Sequence, residues 1–331
     1  MKKILVLIIV VLSIVQCKKE TASEIYTATP VAFVIPPHFP QVEQPANNML
    51  TAEGLYLGRK LYYDSLLHPT KSKSCSSCHL QADGFSTLQS NSIPHVNMAW
   101  STSFLWNGAI EGGLEEAMAF EVHEFFATDF DLLRENDVYV TLFEEAFGST
   151  DINLESTSKA LAQFLRTLNS SNSDYDQFFR GEKQLTDSQY RGYLIYNSEK
   201  GDCFHCHGYP LLADNQFHNT GLDSVFDGSN WGRYEVTRNS ADLGKFKTPT
   251  LRNIEYTRPY MHDGRFITLE EVVEFYNSGV KHSPTLDPIM TKSGKENGLG
   301  LNEQEKKDLV NFMKSFSDKD FLTNPAFNRP K

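Results

Sequence analysis

This sequence predicts a mainly α-helical protein of two domains with long loops, on three observations. The chain has 331 residues, about twice the length of an ordinary domain. Apolar residues recur at helical spacing in four segments, while alternating strand patterns are sparse. Finally, Cys75-Ser76-Ser77-Cys78-His79 and Cys203-Phe204-His205-Cys206-His207 repeat one Cys-x-x-Cys-His motif, once in each half.

A content of 40% hydrophobic and 22% charged residues supplies apolar surface for two cores and excludes a disordered chain. The formal net charge of −11 argues against nucleic acid and anionic lipid as partners and suits a basic protein. Five cysteines cannot form a closed set of disulfides. The two motifs use four, and Cys17 ends an N-terminal apolar segment.

Met1-Lys2-Lys3 followed by the apolar run Ile4 to Val15 reads as a signal peptide over residues 1–17. The run is shorter than the roughly 20 apolar residues a membrane-spanning helix needs. Ser13-Ile14-Val15-Gln16-Cys17 resembles a bacterial lipoprotein box, which would make Cys17 the lipidated first residue. Gln16 departs from the small residue such boxes carry, so simple secretion stays open. Either route exports the chain to the periplasm or cell envelope, with a lipid anchor as its only expected membrane link. Loss of Lys2 and Lys3 with the leader takes the net charge from −11 to −13. Residues 18–48, with Pro30, Pro36, Pro37, Pro40 and Pro45, read as an extended tether.

An N-terminal domain is expected over 49–181 and a C-terminal domain over 182–320, with the boundary near Gly181. Thr51 to Tyr63, carrying Leu55, Leu57, Leu61 and Tyr62, is a helix ahead of the first motif. Leu154 to Leu168 repeats Leu154, Leu161, Phe164, Leu165 and Leu168 at helical spacing. Asp187 to Tyr196, with Tyr190, Tyr193, Leu194 and Tyr196, precedes the second motif, and Asn302 to Phe316 closes the chain with Leu309, Phe312, Met313 and Phe316. No internal repeat longer than the paired cysteine motif stands out.

Two thiols three residues apart can form thioethers to the two vinyl groups of one porphyrin, and the adjoining histidine then reaches the iron. A redox dithiol or half a zinc site would not need that histidine after both pairs. The domains are therefore read as cytochrome c-like, with Cys75, Cys78, His79 and Cys203, Cys206, His207 holding two covalently bound haem c groups.

Leu57-Gly58-Arg59-Lys60-Leu61-Tyr62-Tyr63-Asp64 precedes the first motif and Trp106-Asn107-Gly108 follows it. Phe246-Lys247-Thr248-Pro249-Thr250-Leu251-Arg252-Asn253 and Pro259-Tyr260-Met261-His262-Asp263-Gly264 follow the second. With these strings in this order, the chain resembles the bacterial di-haem cytochrome c peroxidase and MauG family from about Ala52 to Ser317. The resemblance implies an oxidoreductase whose N-terminal haem reduces hydrogen peroxide. The second haem would relay electrons from a small donor, a cytochrome c or a cupredoxin. Trp106 matches the family's tryptophan between the haems. Asn91, fifteen residues earlier, matches the side-chain ligand of an inter-domain Ca²⁺, and the carbonyls of Thr257 and Pro259 match the other protein ligands; oxygen donors suit that ion. A homodimer is common in the family.

Three departures from the family pattern shape the expected site. Peroxidases carry a capping histidine in the loop after the first haem, but the eleven residues between His79 and Asn91 contain none. His95 is the nearest and falls on a packing position, so the first haem is expected to be open on its distal side. At the second haem, peroxidases use a methionine; MauG uses a tyrosine seventeen residues after the motif proline, which is Tyr276 here, with Met261 and Met290 as competitors. The family's peroxide-pocket glutamine is absent from Leu114 to Glu124, and its glutamate position falls on Ala127. Proton movement on peroxide still needs an acid–base group. Glu124 and His123 rank first for that role and Glu121 next. Two other functions stay open: a MauG-like oxidase that modifies a protein substrate, and a di-haem electron carrier without peroxide chemistry.

Overall fold

A computed structural model describes residues 26–296 and 298–331, so the leader and Cys17 lie outside the described residues. The fold is mostly helical. The helices on which the two cores are built begin where side chains cap the unpaired N–H groups of a first turn. Thr51 opens Ala52–Tyr63, Asn153 opens Leu154–Arg166, Thr186 opens Asp187–Tyr196, and Asn302 opens Glu303–Lys314. Named strands are two short antiparallel pairs, Ser103–Phe104 with Ile110–Glu111 and Phe217–His218 with Phe246–Lys247.

One helix crossing is built twice. Ala52–Tyr63 packs on Leu154–Arg166, and Asp187–Tyr196 packs on Glu303–Lys314. Gly58 lets the first two backbones touch, since a Cβ there would overlap the Ala160 carbonyl; Gly192 stands in the same relation to the Asp308 carbonyl. One turn on, Tyr62 meets Phe164 edge-on with ring centroids 5.2 Å apart, and Tyr196 meets Phe312 at 5.2 Å. Such pairs contribute about 0.5–1.5 kcal/mol beyond the area they bury. Two cores grow from the crossings, one including Leu57, Leu61, Phe143 and Leu165, the other Tyr175, Leu309, Phe312 and Phe316.

The expectation that nothing beyond the cysteine motif repeats is corrected by this duplication. Gly58-x-x-x-Tyr62 answers Gly192-x-x-x-Tyr196, and Leu114-Glu115-Glu116 with Phe120 answers Leu269-Glu270-Glu271 with Phe275. Loops of unequal length between these pieces hide the repeat from a linear reading.

The two cores do not divide the chain at one point. The second begins at Tyr175, on the helix Asp174–Phe179 that precedes Gly181. Asp176 on that helix pairs with Arg252 at 2.9 Å, both side chains 1% exposed. The end of the chain returns to the first core through Phe321, Leu322 and Phe327, with Phe321 packed 5.3 Å from Phe85. Residues 26–48, read as a tether, carry no helix but lie packed on the body. Phe39 is buried against Trp100 with centroids 5.0 Å apart, the Arg252 guanidinium lies 4.9 Å from the Phe39 ring, and Trp100 Nε1–H donates to the Pro40 carbonyl at 2.8 Å. An aromatic with an apolar seat available does not stay in solvent.

Candidate functional site

Each cysteine motif lines a large cavity. Cys75, Cys78 and His79 border one of about 480 Å³; Cys203, Cys206 and His207 border one of about 220 Å³. All four thiols are unpaired. Burial pushes the Cys75 thiol well up and the Cys203 thiol up to about 12, the opposite of a redox dithiol, whose pKa is lowered. Nor do the two cysteines and histidine of either motif converge on one point, as zinc would require. Two thiols and an imidazole spread along one cavity wall fit a porphyrin, which takes the sulfurs at its edge and the nitrogen at its centre.

The histidines are prepared alike. Burial lowers His79 to about 4 and holds His207 below its usual value, so both rings are neutral at pH 7. His79 Nδ1–H donates to the Phe85 carbonyl at 2.9 Å, and His207 Nδ1–H to the Leu212 carbonyl at 2.9 Å. This bond selects the tautomer whose Nε2 lone pair is free for a metal. Tyr62 and Tyr196 steady the same loops, their hydroxyls donating to the His79 and His207 carbonyls at 3.3 and 2.7 Å. His95 stacks on the His79 ring with centroids 3.5 Å apart, and its Nδ1 lies 3.2 Å from the Tyr62 hydroxyl.

Trp106 borders both cavities. It lies in the connection between strands Ser103–Phe104 and Ile110–Glu111, and the second half of the chain clamps that turn. The Lys247 N–H donates to the Trp106 carbonyl at 2.8 Å, and Arg233 donates to the Gly108 carbonyl at 2.6 Å. Gly108 has φ of 66°, and a Cβ there would strike the Phe217 ring, so glycine is required on both counts.

Asn91 joins the halves at the same wall. Its Nδ2 donates to the carbonyls of Met261 at 3.2 Å and His262 at 2.8 Å, and its own carbonyl accepts Trp106 Nε1–H at 3.4 Å. Asn91, Thr257 and Pro259 border the second cavity together. With both amide hydrogens committed to carbonyls, Oδ1 is the atom Asn91 can offer a cation, and a hard oxygen set of this kind fits Ca²⁺.

Tyr276, Met261 and Met290 all line the second cavity. Burial pushes the Tyr276 hydroxyl up, and Cys206 and Cys203 add to the shift. Tyr276 sits on a π-helical turn, Phe275–Gly279, that continues the helix Leu269–Glu274. The first cavity has the same device: the π turn Glu121–Phe125 continues Leu114–Phe120. Such turns are rare and occur often at functional positions. Aligning the two Leu-Glu-Glu openings puts Glu121 in register with Tyr276. Glu121 lines the first cavity, and burial raises its carboxyl to about 7.

The ranking of acids from sequence is corrected here. His123 and Glu124 are exposed and bond to each other at 2.9 Å, and they do not border the cavity; Ala127 is exposed as well. The Phe126 N–H reaches back five residues to the Glu121 carbonyl at 2.8 Å, and that wider turn leaves residues 123 and 124 in solvent. The signal for Glu121 was present in the hidden Leu-Glu-Glu repeat.

Two cavities, each walled by a Cys-x-x-Cys-His motif and sharing a wall that includes Trp106 and Lys247, fit a c-type cytochrome built for two haems. Residues 52–184 match a family model described as di-haem cytochrome c peroxidase. The chain is 32% identical over 338 residues to the cytochrome-c peroxidase IdrP1 of Denitromonas iodatirespirans, covering 87% of each protein. It is 30% identical over 296 residues to the methylamine utilization protein MauG of Methylophilus methylotrophus, covering 83% of this chain and 85% of that one. A crystal structure of a MauG-like protein associated with microbial copper homeostasis matches with a TM-score of 0.81 at 30% identity, over 91% of this chain and 99% of that one. The chain belongs to the di-haem cytochrome c peroxidase and MauG family. Membership implies two c-type haems and an oxidoreductase of the cytochrome c peroxidase type. Among the described residues, no helix is long and apolar enough to cross a membrane.

Proposed function

We propose that this protein reduces hydrogen peroxide in the Cys75/Cys78 cavity with electrons that a small redox protein delivers through the Cys203/Cys206 cavity. The observation that carries the proposal is Glu121, a half-buried acid in the wall of the Cys75/Cys78 cavity whose carboxyl is raised to about 7. When bound, the haems supply iron that takes up peroxide and accepts and passes electrons. His79 and His207 would hold the irons through Nε2. With its carboxyl raised to about 7, Glu121 still carries its proton in about half of the molecules at neutral pH and would pass it to the departing oxygen of peroxide; such help is worth about 10²–10⁴-fold. Trp106, which borders both cavities, would lie between the two haems. Tyr276 is the distal ligand candidate of the second haem favoured by its register with Glu121, ahead of Met261 and Met290. Asn91, Thr257 and Pro259 would hold Ca²⁺ at the junction of the halves.

A leader over residues 1–17 would place this chemistry outside the cytoplasm, and a charge of −13 after its removal would suit a basic donor, a cytochrome c or cupredoxin. The test is consumption of peroxide by the two-haem protein with a reduced cytochrome c. Two donor molecules should be oxidised per H₂O₂, with two protons taken up and two waters formed. Donor oxidation no faster than without the protein would leave only an electron carrier. Tyr276 in the second cavity favours one further reading, a MauG-like oxidase. That reading requires one peroxide equivalent to change the spectra of both haems and a protein substrate to emerge modified.

A further inference from the structure

Lys247 is 9% exposed and borders both cavities, beside Trp106. Its Nζ has one hydrogen-bond partner, the neutral Asn215 Oδ1 at 3.2 Å, and no carboxylate among the described residues forms an ion pair with it. Asp214 is the acid whose field reaches Lys247, and His218 already engages it at 2.9 Å. Burial lowers the lysine to about 8, as expected for a charge held without a counter-ion. Buried ammonium groups persist when an anion pairs with them. The chain provides none here, but each haem c brings two carboxylates.

We propose that Lys247 is a shared counter-cation for propionates of both haems, and that its charge raises both reduction potentials together. The strand pair Phe217–His218 with Phe246–Lys247 positions it, and its backbone bond to the Trp106 carbonyl holds it at the partition. The inference rests on the presence of two haems and not on peroxide as substrate, so peroxide turnover and haem potentials test the two readings separately.

The experiment is an anaerobic potentiometric titration, followed optically at each haem, of matured two-iron protein carrying Lys247→Met, Lys247→Gln or Lys247→Arg. Methionine has similar length and removes the buried charge, so it is the neutral variant best suited to fold; glutamine repeats the test with a polar group. Both midpoints should move negative in the neutral variants, and Lys247→Arg should restore them towards the native values. A neutral variant in which either midpoint stays at its native value overturns the proposal. So does an arginine variant shifted as far as the neutral ones.

Discussion

The two halves of this molecule share their supports and differ in what those supports hold. Each has a glycine-mediated helix crossing, a tyrosine bonded to the ligand histidine's carbonyl, and an imidazole whose Nδ1–H is held by a loop carbonyl. Each also has a helix that ends in a π turn at the cavity. At the matching register of that turn the first half carries Glu121 and the second Tyr276. A duplicated scaffold thus repeats the supports of the two motifs and varies the side chain at one cavity-lining position, a carboxyl in the first half and a phenol in the second.

The comparison is most open to breakage at that position. Glu121→Gln should lower peroxide turnover by about 10²–10⁴-fold, or about 2.7–5.5 kcal/mol, whereas Tyr276→Phe should change the spectrum of the second haem and leave peroxide uptake at the first intact. Because burial raises Glu121 to about 7 and the protonated form is the useful one, native turnover should be full below that value and fall as pH rises through it. The Glu121→Gln profile should be flat there. Equal losses in the two variants would remove the distinction between the halves.

Next in size is the buried pair of the second half. Asp176→Ala leaves Arg252 uncompensated and should cost about 3–5 kcal/mol in denaturant unfolding. The first half's nearest counterpart, Arg166 with Glu115, is less enclosed at 5% and 17% exposure, so Glu115→Gln should cost less. Burial alone would raise the Asp176 carboxyl, but the Arg252 guanidinium and Ser173 outweigh it and hold the group below its usual value. The pair's stabilisation is therefore fully present above the ordinary carboxylate range and lost as pH falls through the lower native pKa. Unfolding curves taken at falling pH would check that sign.

Smaller effects sharpen the symmetry. Gly58→Ala and Gly192→Ala each push a methyl into a facing carbonyl and should each cost about 1–3 kcal/mol in thermal unfolding. Tyr196→Phe removes one hydrogen bond of 2.7 Å, and Tyr62→Phe removes two longer ones, to the His79 carbonyl at 3.3 Å and His95 Nδ1 at 3.2 Å; each bond is worth about 0.5–1.5 kcal/mol.

The sequence by itself determined the features that depend on neighbours a few residues apart. The thiol–thiol–imidazole spacing of both motifs, the helical segments Thr51 to Tyr63, Leu154 to Leu168, Asp187 to Tyr196 and Asn302 to Phe316, and the scarcity of strand are all local, so linear reading reaches them. Only the tertiary structure decided which acid faces the first cavity, because the π turn after Phe120 alters the helical count that would place Glu121, His123 and Glu124. It also decided that Lys247 and Trp106 share a wall, that Asn91 meets residues 257–262, and that Phe321 and Phe327 close the first core. Those meetings join residues more than a hundred positions apart, and no spacing rule carries over such distances; only the packing of the two cores against each other does.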